Sequence, residues 1–579
     1  GGFLDIRNLS YSSKDFPQPV QNGSMKVQLE NSGGSADNTT IKITDGHIEL
    51  GKDPFDFALQ LSNPVSSIDY FGSAKGRFTL DNIRQFTELE PGTIISGILN
   101  ADLDFKGSKA AFDKQQYDKI NIDGTASLSN LKYTSKDYPE GVAIENAQLT
   151  FNEKNVTLNK LNGSYLHTDF TANGIINNLV GYAMQNQVLS GNMNVTADKM
   201  DLNDWMGSTS ADTISATTST SPATFIVPKG INFMINAKAG RVKYDKVNYD
   251  NIDGVLALND ETVKLENVRA DALDGTVSFS GFYSTKANKK QPYIALSYNL
   301  KDINIQQAFF AFNTFQKLMP VGQFLDGKLN SQLVMTGNLD GNMMPNLSSL
   351  SGKGNFLLLE GVLKKFAPLE KLANTLQIEE LNSISLKDIK NQIEFSNGKV
   401  LVKPFTVNVK DIEMQIGGTH GFDQSIDYVI AMKVPRKYLG TEGNNLVNNL
   451  ASQASSKGIP VKLGDVVNLN VKMAGTITSP SIKTDLKEVA GDAVADLKQQ
   501  AADFAKEKVD VEKQKIKDSA NVVKNQVLQD VKEDLKGKLL GSKDSTQNTT
   551  NIDSTKKKAE QTIKNSLDGL FRKKKKTSS

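Results

Sequence analysis

From Phe3 to about residue 480 the chain alternates apolar and polar residues with a period of two. Leu99, Ala101, Leu103 and Phe105 show it, as do Ile426, Tyr428, Ile430, Met432 and Val434, and Val467, Leu469, Val471 and Met473. Successive side chains of a β-strand point to opposite faces, so each segment has one apolar face and one wet face. Asp123-Gly124, Asp253-Gly254 and Asn397-Gly398 punctuate the segments as hairpin turns do. Helical spacing is confined to short stretches at 81–90, 305–318 and 366–376. The expectation is a mainly β body, largely antiparallel.

The extent of that apolar face limits what it can build. At about 15 residues per strand and turn, it makes about 30 strands and a sheet on the order of 140 Å long. Open sheets rarely exceed about ten strands without curling or splitting. One solution is a string of sandwiches or short barrels, each closed around its own core. The other is a continuous, strongly twisted sheet rolled into an open apolar groove.

The body also repeats itself. Leu9-Ser-Tyr-Ser-Ser-Lys-Asp-Phe-Pro returns as Leu131-Lys-Tyr-Thr-Ser-Lys-Asp-Tyr-Pro, with Val20 matching Val142. Val156, Leu158, Leu161, Leu166 and Gly174 match Val263, Leu265, Val268, Leu273 and Gly281 at one constant offset. Gly97-x-Leu-Asn through Gly107 reappears as Gly327-x-Leu-Asn through Gly337, and a helix-entry pattern recurs before Phe86, Trp205 and Phe309. Such repeats extend one architecture lengthwise. We divide the chain into β repeats at 1–95, 96–222, 223–319 and 320–483, the second ending in a Ser/Thr-rich loop at 208–221. An amphipathic helix or helix pair follows at 484–541, then a polar linker and short basic tail at 542–579.

Little in the sequence points to catalysis. The chain has no cysteine and three histidines, which excludes disulfides and thiolate sites and disfavours a multi-histidine metal centre. His47, His167 and His420 stand far apart. Gly46 through Asp53 has the glycine and lysine spacing of a phosphate loop, but Asp53 replaces the hydroxyl and Pro54 follows where a helix should begin. His47-Ile-Glu-Leu reads better as a strand. No cofactor, metal site or nucleic-acid partner is expected. The formal net charge of +2 averages a mildly acidic β body with a lysine-rich tail. No apolar run approaches the roughly 20 residues of a spanning helix. The chain opens at Gly1 inside strand-like sequence, as expected of a fragment lacking its N-terminal part.

The last β portion resembles a known family. Leu350-Ser-Gly-Lys-Gly-Asn-Phe-Leu-Leu-Leu-Glu-Gly-Val-Leu, Gly398-Lys-Val-Leu-Val-Lys-Pro-Phe, Met414-Gln-Ile-Gly-Gly-Thr-His-Gly and Gly475-Thr-Ile-Thr-Ser-Pro carry the likeness. They are similar to the C-terminal conserved region of AsmA-family proteins (the AsmA, TamB and YhdP group), themselves similar to eukaryotic repeating-β-groove bridge proteins. The match covers about 320–485. It implies an inner-membrane anchor at a missing N-terminus and a periplasmic groove of a diderm envelope, carrying phospholipid toward the outer membrane. The alternative is a periplasmic scaffold assisting outer-membrane protein assembly, with envelope proteins as partners.

A groove of that kind needs only a continuous apolar lining. The candidates, one or two per strand, are Leu103, Phe105, Leu149, Phe151, Met193, Val195, Phe233, Ile235, Leu333, Met335, Met414, Ile416, Ile430, Met432, Val471 and Met473. In the tail, Leu567, Leu570 and Phe571 beside Arg572, Lys573, Lys574, Lys575 and Lys576 form a candidate contact with an anionic membrane surface.

Overall fold

The computed structural model describes residues 1–12, 19–85, 89–136, 138–152, 155–205, 225–340, 343–456, 464–485 and 499–506. All belong to the unit Gly1–Asp510; a second unit, Val511–Ser579, lies outside the described residues. The expected loop at 208–221, the basic tail and most of 484–541 therefore fall outside them, although 499–506 is helical.

Among the described residues, twenty-four strands form one sheet. The first six are β1 (Gly2–Tyr11), β2 (Val20–Asn31), β3 (Thr39–Leu50), β4 (Asp53–Ser62), β5 (Asp69–Thr79) and β6 (Ile94–Ser108). Next come β7 (Asn121–Thr134), β8 (Val142–Phe151), β9 (Val156–Tyr165), β10 (Thr168–Asn177), β11 (Leu189–Asp201) and β12 (Ile231–Tyr244). Then β13 (Val247–Asn259), β14 (Thr262–Ala272), β15 (Gly275–Ser284), β16 (Tyr293–Asn304), β17 (Leu325–Asn338) and β18 (Ser351–Lys364). The series ends with β19 (Ser383–Ser396), β20 (Lys399–Val409), β21 (Ile412–Gly421), β22 (Ser425–Pro435), β23 (Val466–Thr476) and β24 (Pro480–Asp485).

Each strand pairs with its successor, and among the described residues β1 does not pair with β24, so the sheet is a meander left open rather than a barrel. All steps are antiparallel except β11 to β12, which is parallel, with Met193 beside Ile235. The strand number falls short of the expected 30 because most strands run 10 to 15 residues. His47 to Leu50 are strand, as read from the sequence.

Local backbone chemistry supplies the coil. Asn22, Asp45, Asn251, Asn267 and Asp302 sit at φ between 51° and 57°, each at a register shift. Asn and Asp tolerate this left-handed region, and the extra residue of a bulge bends its strand and increases the right-handed twist. Repeated along the sheet, the bulges roll it into a groove.

Short helical elements stand after β5 (Leu80–Gln85), β11 (Leu202–Trp205) and β16 (Ile305–Ala311, Asn313–Leu318). The pairings place all three at the same strand-end edge of the sheet. The helices Ala367–Leu376 and Thr441–Ser456 enter later, after β18 and β22. With the pair after β16 they pack on the apolar face of β16 to β23, where Leu372, Leu376 and Val447 join one continuous core with Leu329, Leu333, Phe395 and Val471.

Candidate functional site

The apolar face is the candidate site, and register builds it. Residues directly opposite on paired strands share a face. An unbroken file runs Ala74, Leu103, Gly124, Phe151, Val156, Ile176, Gly191, Phe233, Leu258, Val263, Tyr283, one residue per strand from β5 to β15. At about 4.8 Å per strand step it extends for about 48 Å. Large side chains lie over glycines of the next strand. A Cβ on Gly191 would sit 2.8 Å from the Phe233 ring, and one on Gly72 would sit 2.9 Å from the Phe105 ring. Glycine at these points lets the ring lie flat on the sheet, which keeps the groove floor smooth.

The candidate lining residues fall into two groups. Leu103, Phe105, Leu149, Phe151, Met193, Val195, Phe233 and Ile235 are half-buried and lie outside the main core. Leu149, Met193 and Val195 pack on a small local cluster around Ala147, Leu158 and Ala172. In contrast, Leu333, Met335, Met414, Ile430, Met432, Val471 and Met473 are buried in the main core, with Ile416 packed against it. Leu103 and Phe105 occupy the same places in their repeat as Leu333 and Met335. Leu333 is 1% exposed, within the core that the helices after β16, β18 and β22 share, whereas Leu103 is half-buried and outside that core. The membrane-contact candidates Leu567, Leu570, Phe571, Arg572, Lys573, Lys574, Lys575 and Lys576 lie outside the described residues.

One polar group is buried in the closed part. His420 Nδ1 accepts from the Tyr428 hydroxyl at 2.9 Å, and Nε2 donates to the Lys317 carbonyl at 3.2 Å. The carbonyl can only accept, which fixes the neutral tautomer. Burial pushes the imidazole pKa down to about 4. This histidine ties the helix Asn313–Leu318 to β21. Its spacing from the other histidines gave no sign of that, because the partner is a main-chain carbonyl.

The opposite face is wet and charged in cross-strand pairs. Lys75 meets Asp102 at 2.9 Å, Arg241 meets Asp250 at 2.6 Å, and Lys433 meets Glu413 at 2.8 Å. The Arg241 guanidinium, hydrogen-bonded to Asp250, holds that carboxyl below its ordinary value. Two adjoining cavities of about 780 and 670 Å³ have Asn299, Gln332, Asn355 and Gln392 on their walls, four amides in register on the polar phase of β16 to β19. Among the described residues no group of His, Asp or Glu is placed to hold a metal ion, and no helix is long and apolar enough to cross a membrane.

Fold and face together define an open, largely antiparallel, repeating β-groove, consistent with the bridge-like lipid-transfer type. No protein-family model, curated protein or solved structure matches the chain.

Proposed function

We propose that this chain is a non-enzymatic conduit of the AsmA type. It holds phospholipid acyl chains in the groove of β2 to β15 and passes them between the inner and outer membranes of a diderm envelope. The observation that carries the reading is the unbroken apolar file from β5 to β15, most of whose residues are only half-buried. A diacyl lipid with about 30 methylenes costs on the order of 24 kcal/mol to expose to water, so it crosses an aqueous gap only with its tails covered. A groove meets that need without a shaped pocket, and adaptable Met193 suits varied chains. In this reading an N-terminal segment anchors the protein in the inner membrane, and the basic tail meets an anionic surface.

A scaffold role in outer-membrane protein assembly draws on a different observation. The outer edge of β1 is unpaired among the described strands, and Phe3 is 68% exposed there. An open edge can accept a strand from a partner.

Native mass spectrometry of the purified chain tests the main reading. Phospholipid should co-purify, and fluorescent phospholipid should move between vesicle populations faster in its presence. A lipid-free chain that leaves transfer at the spontaneous rate sinks the conduit and leaves the scaffold.

A further inference from the structure

The groove has two rims, formed by opposite strand ends. Tyr165, Thr168 and Trp205 lie on the rim where β9 and β11 end and β10 begins. Thr285 lies just past the end of β15, on the other rim, which also holds the starts of β11 and β12. These two rims meet through aromatic rings. Trp205 stands edge-on to Tyr165 at 5.0 Å, Phe225 lies 6.1 Å from Trp205, and Tyr283 lies 6.5 Å from Phe225.

Both ends of this file are tied down. The Trp205 indole N–H donates to Thr168 Oγ1 at 3.2 Å. The Tyr283 hydroxyl donates to the Phe225 carbonyl, and the Val227 N–H donates to Thr285 Oγ1 at 3.3 Å. Val227 is 1% exposed, so the strap is packed down rather than draped. Tyr283 belongs to the groove's own apolar file, opposite Val263, so its hydroxyl holds Phe225 on the far rim, and the crossing of the groove is made by the Trp205–Phe225 contact. The twist explains the meeting. At about 20–25° per strand, the six steps from β9 to β15 turn the sheet by roughly 130°, bringing the far rim round to the near one. Residues 206–224 lie outside the described residues and play no part in this geometry.

We infer that Tyr165, Trp205, Phe225 and Tyr283 form a clasp across the groove mouth, which a lipid must open to pass from the stretch before β9 to the stretch beneath β12 to β15. This rests on the conduit reading. A lipid in the groove keeps its tails inside and its head group in water beyond the mouth. Rings bridging the rims stand in the path of the head group. Passage then depends on separating Trp205 from Phe225, a contact between two side chains with no covalent or ionic link.

The composition makes the clasp testable, since Trp205 is the single tryptophan and the chain has no cysteine. In the Trp205→Cys, Phe225→Cys variant the two thiols are bridged with a short bis-maleimide, or capped singly as a control on the same fold. A photoreactive residue at Phe105 or at Leu265 then reports phospholipid from vesicles on either side of the clasp. The capped protein should label at both positions; the bridged protein should label at Phe105 to the same extent and at Leu265 about tenfold less. In the unsubstituted chain, phospholipid with brominated acyl chains should quench the Trp205 emission. Equal labelling of Leu265 in bridged and capped forms, with Phe105 labelled, overturns the clasp alone. No label at Phe105 in any form removes the conduit reading and the clasp with it.

Discussion

Leu103 and Leu333 stand at equivalent places in two repeats, and the same substitution at each should give opposite results. Leu333 is 1% exposed, between Tyr298 and Gly354 on the neighbouring strands. Changing it to Asp removes a fully buried leucine, about 2–3 kcal/mol, and buries a carboxyl lacking a designed partner, about 1–3 kcal/mol more. The sum, about 5 kcal/mol, matches the whole stability of a small domain. Leu103 is half-buried between Ala74 and Gly124. Leu103→Asp gives up about half of the burial term, roughly 1 kcal/mol, and leaves its carboxylate in reach of water. In the groove, however, that carboxylate faces the acyl chain. Three methylenes denied an apolar neighbour lose about 2.4 kcal/mol, or roughly 50-fold in affinity. Hydrogen-exchange mass spectrometry should show β16 to β23 losing about three orders of magnitude of protection in Leu333→Asp and almost none in Leu103→Asp. Co-purified phospholipid should vanish from Leu103→Asp although the fold survives. Wild-type lipid occupancy in a folded Leu103→Asp variant would falsify the assignment of that face as the lining.

Two further outcomes are expected. The His420 pKa is depressed to about 4 in the folded chain, against about 6.5 when unfolded, so the unfolded chain takes up the proton first; stability is full above about pH 6.5 and falls by about 2.5 kcal/mol by about pH 4.5. Urea unfolding of wild type and His420→Gln at both pH values checks it, because carboxylate titration is common to both and the difference between them isolates the imidazole. Gly107→Val places side-chain atoms where a Cβ alone would already meet the Tyr70 ring at 2.8 Å, with no backbone atom as near, and should cost about 1–3 kcal/mol by overpacking; a compensating Tyr70→Ala should recover part of it, and additive losses in the double variant would count against the ring-over-glycine contact.

Much of this was legible in the alternation itself. Ile426, Ile430, Met432 and Val434 are written on one phase of the sequence, and all four are buried on one face of β22. The choice between closed sandwiches and an open sheet was not legible, because both present the same period of two. It is settled by pairings between consecutive strands with no return to β1, which are contacts rather than patterns. The parallel step from β11 to β12 was hidden for a similar reason: strand direction leaves no mark on which residues are apolar. The helix Thr441–Ser456 was also missed. Its asparagines and serines dilute the apolar spacing, although Val447 and Ala451 are buried in the core. Of the three pairs read as hairpin turns, Asn397-Gly398 joins β19 to β20, but Asp123-Gly124 and Asp253-Gly254 lie inside β7 and β13, because a glycine also serves where a neighbouring strand's backbone or side chain comes close.

The comparison of Leu103 with Leu333 also shows where the groove's openness is encoded. The strands carrying them share Gly-x-Leu-Asn at their start and the same apolar phase, so strand composition does not decide which is covered. The decision lies in what is inserted at one rim. After β5 the insertion is the turn Leu80–Gln85; after β11 it is Leu202–Trp205, whose last residue reaches Phe225; after β16 it is two helices that bury Phe309, Phe315 and Leu318 against the sheet. A strand with an apolar face can be repeated along the sheet, since each copy offers its neighbour the same backbone hydrogen bonds. A rim insertion can then lengthen without disturbing that pairing, because it leaves and re-enters at strand ends. One repeated sheet can in this way be open along β2 to β10, bridged from rim to rim by Trp205 and Phe225, and solid beyond β16. The polarity of the groove is therefore a property of its rim insertions, and removing the helices after β16, β18 and β22 together should expose Leu333 and Met335 as a lining like that of Leu103 and Phe105.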